Sequence, residues 1–243
     1  MRRPVLATML VLALAPWGPA APAHAAPAGT AHLPDIRTLL PTDLRIDRSA
    51  GPRLLRLTNT VWNAGQGRLD LVATHSGSTT FATQRIFSHN AAGSWFVQSQ
   101  RPAGEFVYHP EHNHWHFDDF ATYELRSVVA GGGMGPVVRS AKKVSFCMVD
   151  TVKVDSTLPH AAPSAVYNTC TRAAGQGLSV GWGDIYASGL PGQYIDITGL
   201  GNGDFWLVST ADPLNWLLES NETNNAATLK IRIRARNVTI LPS

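Results

Sequence analysis

Four of the chain's nine histidines fall within eight residues, His109-Pro-Glu-His112-Asn-His114-Trp-His116. Imidazole is the commonest metal ligand in proteins, and in its neutral form it suits copper, zinc, iron and nickel. The alternation at His112, His114 and His116 matters because every second side chain of a β-strand leaves from the same face. Alternate residues of an extended strand stand roughly 6.6 Å apart, so three rings can share one ion only if the backbone curves or bulges. A sheet face carrying three unpaired imidazoles has no packing rationale, so the spacing predicts a metal centre. The ion's identity stays open on spacing alone.

A second group of ligand types lies late in the chain. Glu219-Ser-Asn221-x-x-Asn224-Asn225 gathers hard oxygen donors in a turn, which suits calcium. The same residue types also cap β-turns without any ion.

The elements that must position these groups are strands. Arg53 to Asn63 alternates apolar and polar residues through Leu55, Leu57, Asn59, Val61 and Asn63, the pattern of a half-buried strand. Further strands are expected over 69–73, 80–87, 95–97, 120–126, 142–149, 193–198, 203–210 and 227–233. Asn90-Ala-Ala-Gly93 reads as a hairpin turn. Gly131 to Gly135, Asp150 to Gly177 and the glycine-flanked Asp184-Ile-Tyr186 read as loops. Many short strands at close spacing, with no long segment of helical period, predict an all-β fold: an antiparallel β-sandwich whose long loops carry the active site.

The first residues read as a leader. Arg2 and Arg3 precede an apolar run from Val5 to about Pro16, and Ala23-His24-Ala25 is a small-x-small cleavage pattern. The expected organisation is a signal peptide over 1–25, a flexible segment over 26–32 and one domain over 33–243. Export would leave no membrane span after cleavage and an extracellular protein. An oxidising compartment favours a bridge between Cys147 and Cys170, the chain's two cysteines. With 44% hydrophobic and 15% charged residues the chain can bury a substantial core. A net charge of +3 without a basic run gives no footprint for nucleic acid.

Several motifs recur in one order: the histidine stretch, the Tyr123-Glu-Leu125 strand after it, Lys143-Val-Ser-Phe-Cys147, Gln176-Gly-Leu-Ser179, Asp184-Ile-Tyr186, Gln193-Tyr-Ile-Asp-Ile-Thr198 and the Glu219–Asn225 turn. In that order they resemble the catalytic domain of the lysyl oxidases, over nearly the whole chain from about Leu33. The likeness is to a secreted bacterial type, without the extra cysteines of animal relatives. It implies Cu²⁺ held by His112, His114 and His116. It also implies a lysine tyrosylquinone, a self-derived cross-link between Lys143 and Tyr186. The implied activity is oxidative deamination of a primary amine, either peptidyl lysine or a small amine, to an aldehyde. Molecular oxygen is the acceptor, and hydrogen peroxide and ammonia are released. Partners would then be a lysine-containing protein or another primary amine.

The catalytic base does not follow from the resemblance. Asp184, two residues before Tyr186, is the first candidate. Asp118, Asp119 and His109 are rivals, the aspartates also being able to orient imidazoles. For calcium the resemblance adds Asp35 and the Ile36 carbonyl to Glu219, Asn221, Asn224 and Asn225. Asn221 stands where animal relatives carry Asp, so one charge is missing. The competing reading is a non-catalytic secreted sandwich that binds metal or a surface partner, which gives no reason to keep Lys143 and Tyr186 together. A zinc hydrolase lacks the His-Glu-x-x-His helix.

Overall fold

The computed structural model describes residues 30–90, 92–110, 113–141, 144–171 and 175–242. The expected signal peptide and the first residues of the expected flexible segment lie outside them. Ordered pairing begins at His32, whose N–H donates to Phe87 O at 2.8 Å. The Thr30 carbonyl accepts the Ser88 hydroxyl at 2.9 Å.

Sixteen strands follow among the described residues. The first eight are β1 Ile36–Thr38, β2 Thr42–Asp47, β3 Leu54–Asn63, β4 Leu69–Ser76, β5 Thr79–His89, β6 Trp95–His109, β7 His114–Val128 and β8 Met134–Ser140. The rest are β9 Val144–Phe146, β10 Val152–Lys153, β11 Gln176–Leu178, β12 Trp182–Tyr186, β13 Tyr194–Asp196, β14 Gly203–Ala211, β15 Ala226–Arg234 and β16 Asn237–Ile240. They form two antiparallel sheets. The ten-stranded sheet runs β11-β4-β5-β6-β7-β14-β15-β16, with β8 and β9 also on β7; the six-stranded sheet is built on β3, which pairs with β1, β2, β12 and β13.

β3 explains why the sheets face each other. Its expected inward set, Leu55, Leu57, Asn59, Val61 and Asn63, is fully buried, while Thr58, Thr60 and Trp62 are only partly so. Across the core stand Leu69, Leu71, Phe117, Tyr123, Leu125, Leu207, Leu229, Ile231 and Ile233 of the larger sheet. Each such side chain contributes about 1.5–3 kcal/mol by leaving water. Of the buried polar members of β3, Asn63 donates to Gly67 O and Leu178 O and accepts from the Asp35 and Gly65 N–H groups, while Asn59 Oδ1 accepts the Ser209 hydroxyl at 3.0 Å and its Nδ2 has no partner.

Several expected boundaries are corrected. β6 extends far beyond residue 97, through Pro102 and Gly104, with one register shift against β5 between Pro102 and Glu105 and another between Val97 and Ser99. Residues 134–140, within and after the expected glycine loop, form β8 on β7. The strand expected over 142–149 is only Val144–Phe146 among the described residues. Asp184-Ile-Tyr186, read as loop, is strand: β12 pairs with β3, Gly183 opposite Trp62 and Tyr186 opposite Asn59. The glycines that suggested a loop are there for closeness. A Cβ on Gly183 would meet Trp62 Cβ and Val61 O at 2.8 Å, too near for any side chain.

The Cys147–Cys170 bridge is formed, with a sequence separation of 23 and Cα atoms 5.6 Å apart. Closing that span stabilises the fold by about 3–4 kcal/mol in the chain-entropy model.

Candidate functional site

The histidine stretch is where β6 turns into β7. His109 ends β6, His114 opens β7, and the two are directly paired across the ladder. Asn113 carries the turn in the left-handed region, φ 55°, which Asn tolerates better than most residues. Its side-chain carbonyl accepts the Tyr108 hydroxyl at 2.7 Å. His112 lies outside the described residues. His114 and His116 point to one side as the alternation predicted. Their Nε2 atoms are 2.9 Å apart and their rings stack at 4.8 Å. Two nitrogens on one tetrahedral ion at 2.0–2.1 Å would sit about 3.4 Å apart, so a small opening of the pair suffices.

His116 is 2% exposed and its other nitrogen is committed. Its Nδ1 lies 3.1 Å from Ser145 O and 3.2 Å from Ser145 Oγ. A carbonyl partner requires Nδ1 to carry the proton, which turns the Nε2 lone pair toward His114. The Ser145 hydroxyl also reaches His109 Nε2 at 2.9 Å, and the His109 and His116 rings stack at 4.3 Å. His109 therefore stands behind the pair through Ser145. β7 is irregular just after the histidines: Asp119 has φ 53°, and the β7–β9 register slips between Phe117 and Ala121. Asp119 is buried and Asp118 half-buried.

The strand β9 then joins this centre to Tyr186. Lys143 lies outside the described residues, but the chain directly after it is well placed: Val144 pairs with Ala121 and Phe146 with Phe117 of β7. Phe146 stacks on the Tyr186 ring at 3.8 Å. The Cys147 N–H donates to Tyr186 Oη at 2.6 Å, and that hydroxyl donates back to Cys147 O at 3.2 Å. Burial, and next the Asp184 charge, push the Tyr186 phenol well above its ordinary pKa, so it is neutral. The disulfide reaches the histidine strand from the other end, since the Trp115 N–H donates to Cys170 O at 3.1 Å.

A cavity of about 440 Å³ brings these parts together. It is lined by His114, Cys147, Val149, Asp184, Tyr186, Leu190 and Pro191. Asp184 is 2% exposed; Thr151 Oγ1 donates to its Oδ1 at 3.1 Å, while Oδ2 has no hydrogen-bond partner. Burial, opposed by the Thr151 hydroxyl, pushes this carboxyl up to about 7. Of the candidate bases named from sequence, Asp184 is the one on this cavity's lining.

The oxygen-rich turn joins the two sheets. Glu219 lies in the β14–β15 connection, and its Oε2 accepts the Ile36 N–H of β1. Asn225 Nδ2 donates to Glu219 Oε1 at 2.7 Å, and the Ser220 N–H donates to Pro34 O at 2.8 Å. Asp35 Oδ1, Asn224 Oδ1 and Asn225 Oδ1 are buried without a partner. Orphaned oxygens on a carboxylate cluster are what a hard cation satisfies. Asn221 stands apart: it is exposed, and its Oδ1 caps the turn by accepting from Thr223 N and Oγ1 at 3.0 and 2.7 Å. Two residues missed from sequence come close instead. Carboxylate oxygens of Asp212, Glu219 and Glu222 lie within 4.8 Å of one another. Burial, opposed by the Ile36 N–H and Asn225, and the nearby Asp212 and Glu222 push Glu219 up to about 8. Only Glu222 is near enough in sequence to have been suspected; Asp212 arrives by the fold.

Comparison with known proteins agrees with this arrangement. The chain is 32% identical over 139 residues to lysyl oxidase homolog 1 of Homo sapiens, covering 57% of this chain and 22% of that protein. It is 34% identical over 122 residues to lysyl oxidase homolog 3A of Danio rerio, 50% of this chain and 15% of that one. It is 32% identical over 149 residues to protein-lysine 6-oxidase of Rattus norvegicus, 59% of this chain and 32% of that one. The chain thus spans at most about a third of the length of these relatives. The lysyl oxidase family model matches residues 74–242, which take in β7, the disulfide, β12 and the oxygen-rich turn, and with that match over well more than half its length the chain belongs to the lysyl oxidase family.

Proposed function

We propose that the chain is a copper-dependent oxidoreductase that deaminates primary amines oxidatively. The donor is peptidyl lysine or a small alkylamine, oxygen is the acceptor, and the products are an aldehyde, hydrogen peroxide and ammonia. The observation that carries the proposal is the cavity that has His114, Asp184 and Tyr186 together on its lining. The family relation and the convergence of the His114 and His116 nitrogens support it.

The donor set fits copper: neutral imidazoles, one with its tautomer fixed by a carbonyl. His114 and His116, with His112, would hold Cu²⁺, and Tyr186 with Lys143 would supply the quinone. Copper and the quinone, when present, supply the redox chemistry and the electron sink that amine oxidation needs.

The chain's own residues supply position and proton transfer. Phe146 and the Cys147 backbone hold the Tyr186 ring against rotation. Val149, Leu190 and Pro191 give the cavity an apolar wall, suited to the methylene stem of an amine while its polar head meets Asp184. A carboxyl near pH 7 is matched to taking a proton from the carbon next to that nitrogen. Cys147 of the disulfide is on the same lining. Export and an extracellular workplace belong to this reading, and the Cys147–Cys170 bridge is in keeping with an oxidising compartment.

The test is a visible spectrum of the copper-loaded, aerated protein with and without phenylhydrazine, on wild type and Tyr186→Phe. A quinone band that shifts with hydrazine in wild type and is missing in the variant is the expected result. A colourless wild type that still binds metal stoichiometrically would replace this reading with a non-catalytic binding module.

A further inference from the structure

Three histidines unused by this chemistry meet elsewhere on the molecule. His32 lies on the segment entering the fold, held by its N–H to Phe87 O and by the packing of Gly67, whose Cβ, if added, would meet His32 O at 1.9 Å. His89 is the last residue of β5, at the hairpin into β6. His160 belongs to the connection between β10 and β11, which is pinned by Ala162 N–H to Val180 O at 3.0 Å and by Trp182 Nε1 to Ala162 O at 2.8 Å.

The three rings converge. Their centroids are 4.7 Å apart for His32 and His89, 5.2 Å for His32 and His160 and 5.6 Å for His89 and His160. One ring nitrogen of each lies within 4.8 Å of the other two. Around a tetrahedral ion such nitrogens would be about 3.4 Å apart, so modest side-chain rotation closes the set. His89 Nδ1 is 3.3 Å from Asn90 O, a partner that puts the proton on Nδ1 and frees Nε2 as ligand. His160 has φ 66°, a left-handed backbone that costs energy in a non-glycine residue and that clusters at ligand clamps. Trp95 packs against all three rings at 5.1, 5.3 and 5.1 Å and fixes their backs. A cavity of about 120 Å³ opens beside Trp95 and His160, with Arg68 also on its lining, so water reaches the His160 edge of the cluster.

We propose that His32, His89 and His160 form a second transition-metal site, separate from the His114–His116 centre, that takes a divalent ion of the zinc or copper class. The ion clips the entering segment to the β5–β6 hairpin and to the β10–β11 connection. His32 precedes the segment matched by the family model, which starts at residue 74, so this site is a property of this chain rather than of that match. Three imidazoles without a thiolate and with an open position select a borderline ion over calcium or magnesium.

The experiment is calorimetric titration of Zn²⁺ into the full chain carrying His114→Ala and His116→Ala, which disables the candidate copper centre. One equivalent of zinc is expected to bind, and to be lost when His89→Ala and His160→Ala are added. Zinc binding that survives those two changes, or no binding to the background variant, overturns the proposal. Should the quadruple variant fail to fold, His160→Ala alone, on its exposed connection, replaces it. Trp95 gives an independent readout in the same background: bound Cu²⁺ should quench its emission, and quenching that is unchanged by Trp95→Phe would count against the site.

Discussion

Asp184 shows how one residue's surroundings set its use. Burial raises its carboxyl to about 7, so it is a neutral acid below that pH and a carboxylate above it. If it accepts the substrate proton, amine turnover rises as pH climbs through about 7, and Asp184→Asn removes that limb and most of the rate. The quinone band of the variant should form as in wild type; unchanged turnover across pH would transfer the role to another group. Ser145 acts through its neighbours, bridging His109 and His116. Ser145→Ala keeps the carbonyl partner of His116 but loses the hydroxyl bridge. We expect copper affinity to fall about tenfold, measured by competition with a chelator, with a stability change within about 1 kcal/mol.

At the scale of elements, the centre depends on β12 lying tight against β3. Gly183 makes that approach feasible, its missing Cβ leaving 2.8 Å to Trp62 Cβ and Val61 O. Gly183→Ala must push β12 outward and carry Tyr186, three residues on, with it. The expected cost is about 1–3 kcal/mol by urea unfolding, together with a reduced yield of quinone at full copper loading. Normal quinone yield at lowered stability would mean the ring position tolerates the shift. The same element was hidden in the sequence, because Gly181 and Gly183 imitate a loop. β6 runs on past the expected end at residue 97 and takes in Pro102 and Gly104; Gly104, at φ 106°, lies under the Trp216 ring, which a Cβ would meet at 2.4 Å. Alternation in β3 was legible throughout, because a half-buried strand writes its two faces into alternate residues.

For the whole molecule, the Glu219 turn matters because it ties β1 of one sheet to the β14–β15 connection of the other. Without a cation the raised Glu219 carboxyl holds its proton in the fold to about pH 8, whereas the unfolded chain releases it near 4.5. The folded state then binds more protons, so stability falls as pH rises from about 4.5 to about 8. Calcium binding to the charged form would flatten that slope and raise the melting temperature, by about 2.7 kcal/mol of stability at a hundredfold excess over Kd. Melting curves in chelator and in calcium, at pH 5 and pH 8, test this. Identical pH slopes in both would leave the turn as a hydrogen-bonded clamp without an ion.

The sequence by itself determined the strand class, the face of β3, the alternating histidines, the cysteine pair and the family's ordered motifs. These are local patterns, or pairs so few that no alternative exists. Only the tertiary structure decided that Asp184 and Tyr186 share a cavity with His114, which lies 70 residues before Asp184 along the chain and on the other sheet. It alone also placed Asp212 beside Glu219 and gathered His32, His89 and His160 around Trp95. Spacing along a chain reports neighbours on one element; convergence of separate elements depends on which sheet faces bury each other, and no single segment carries that information.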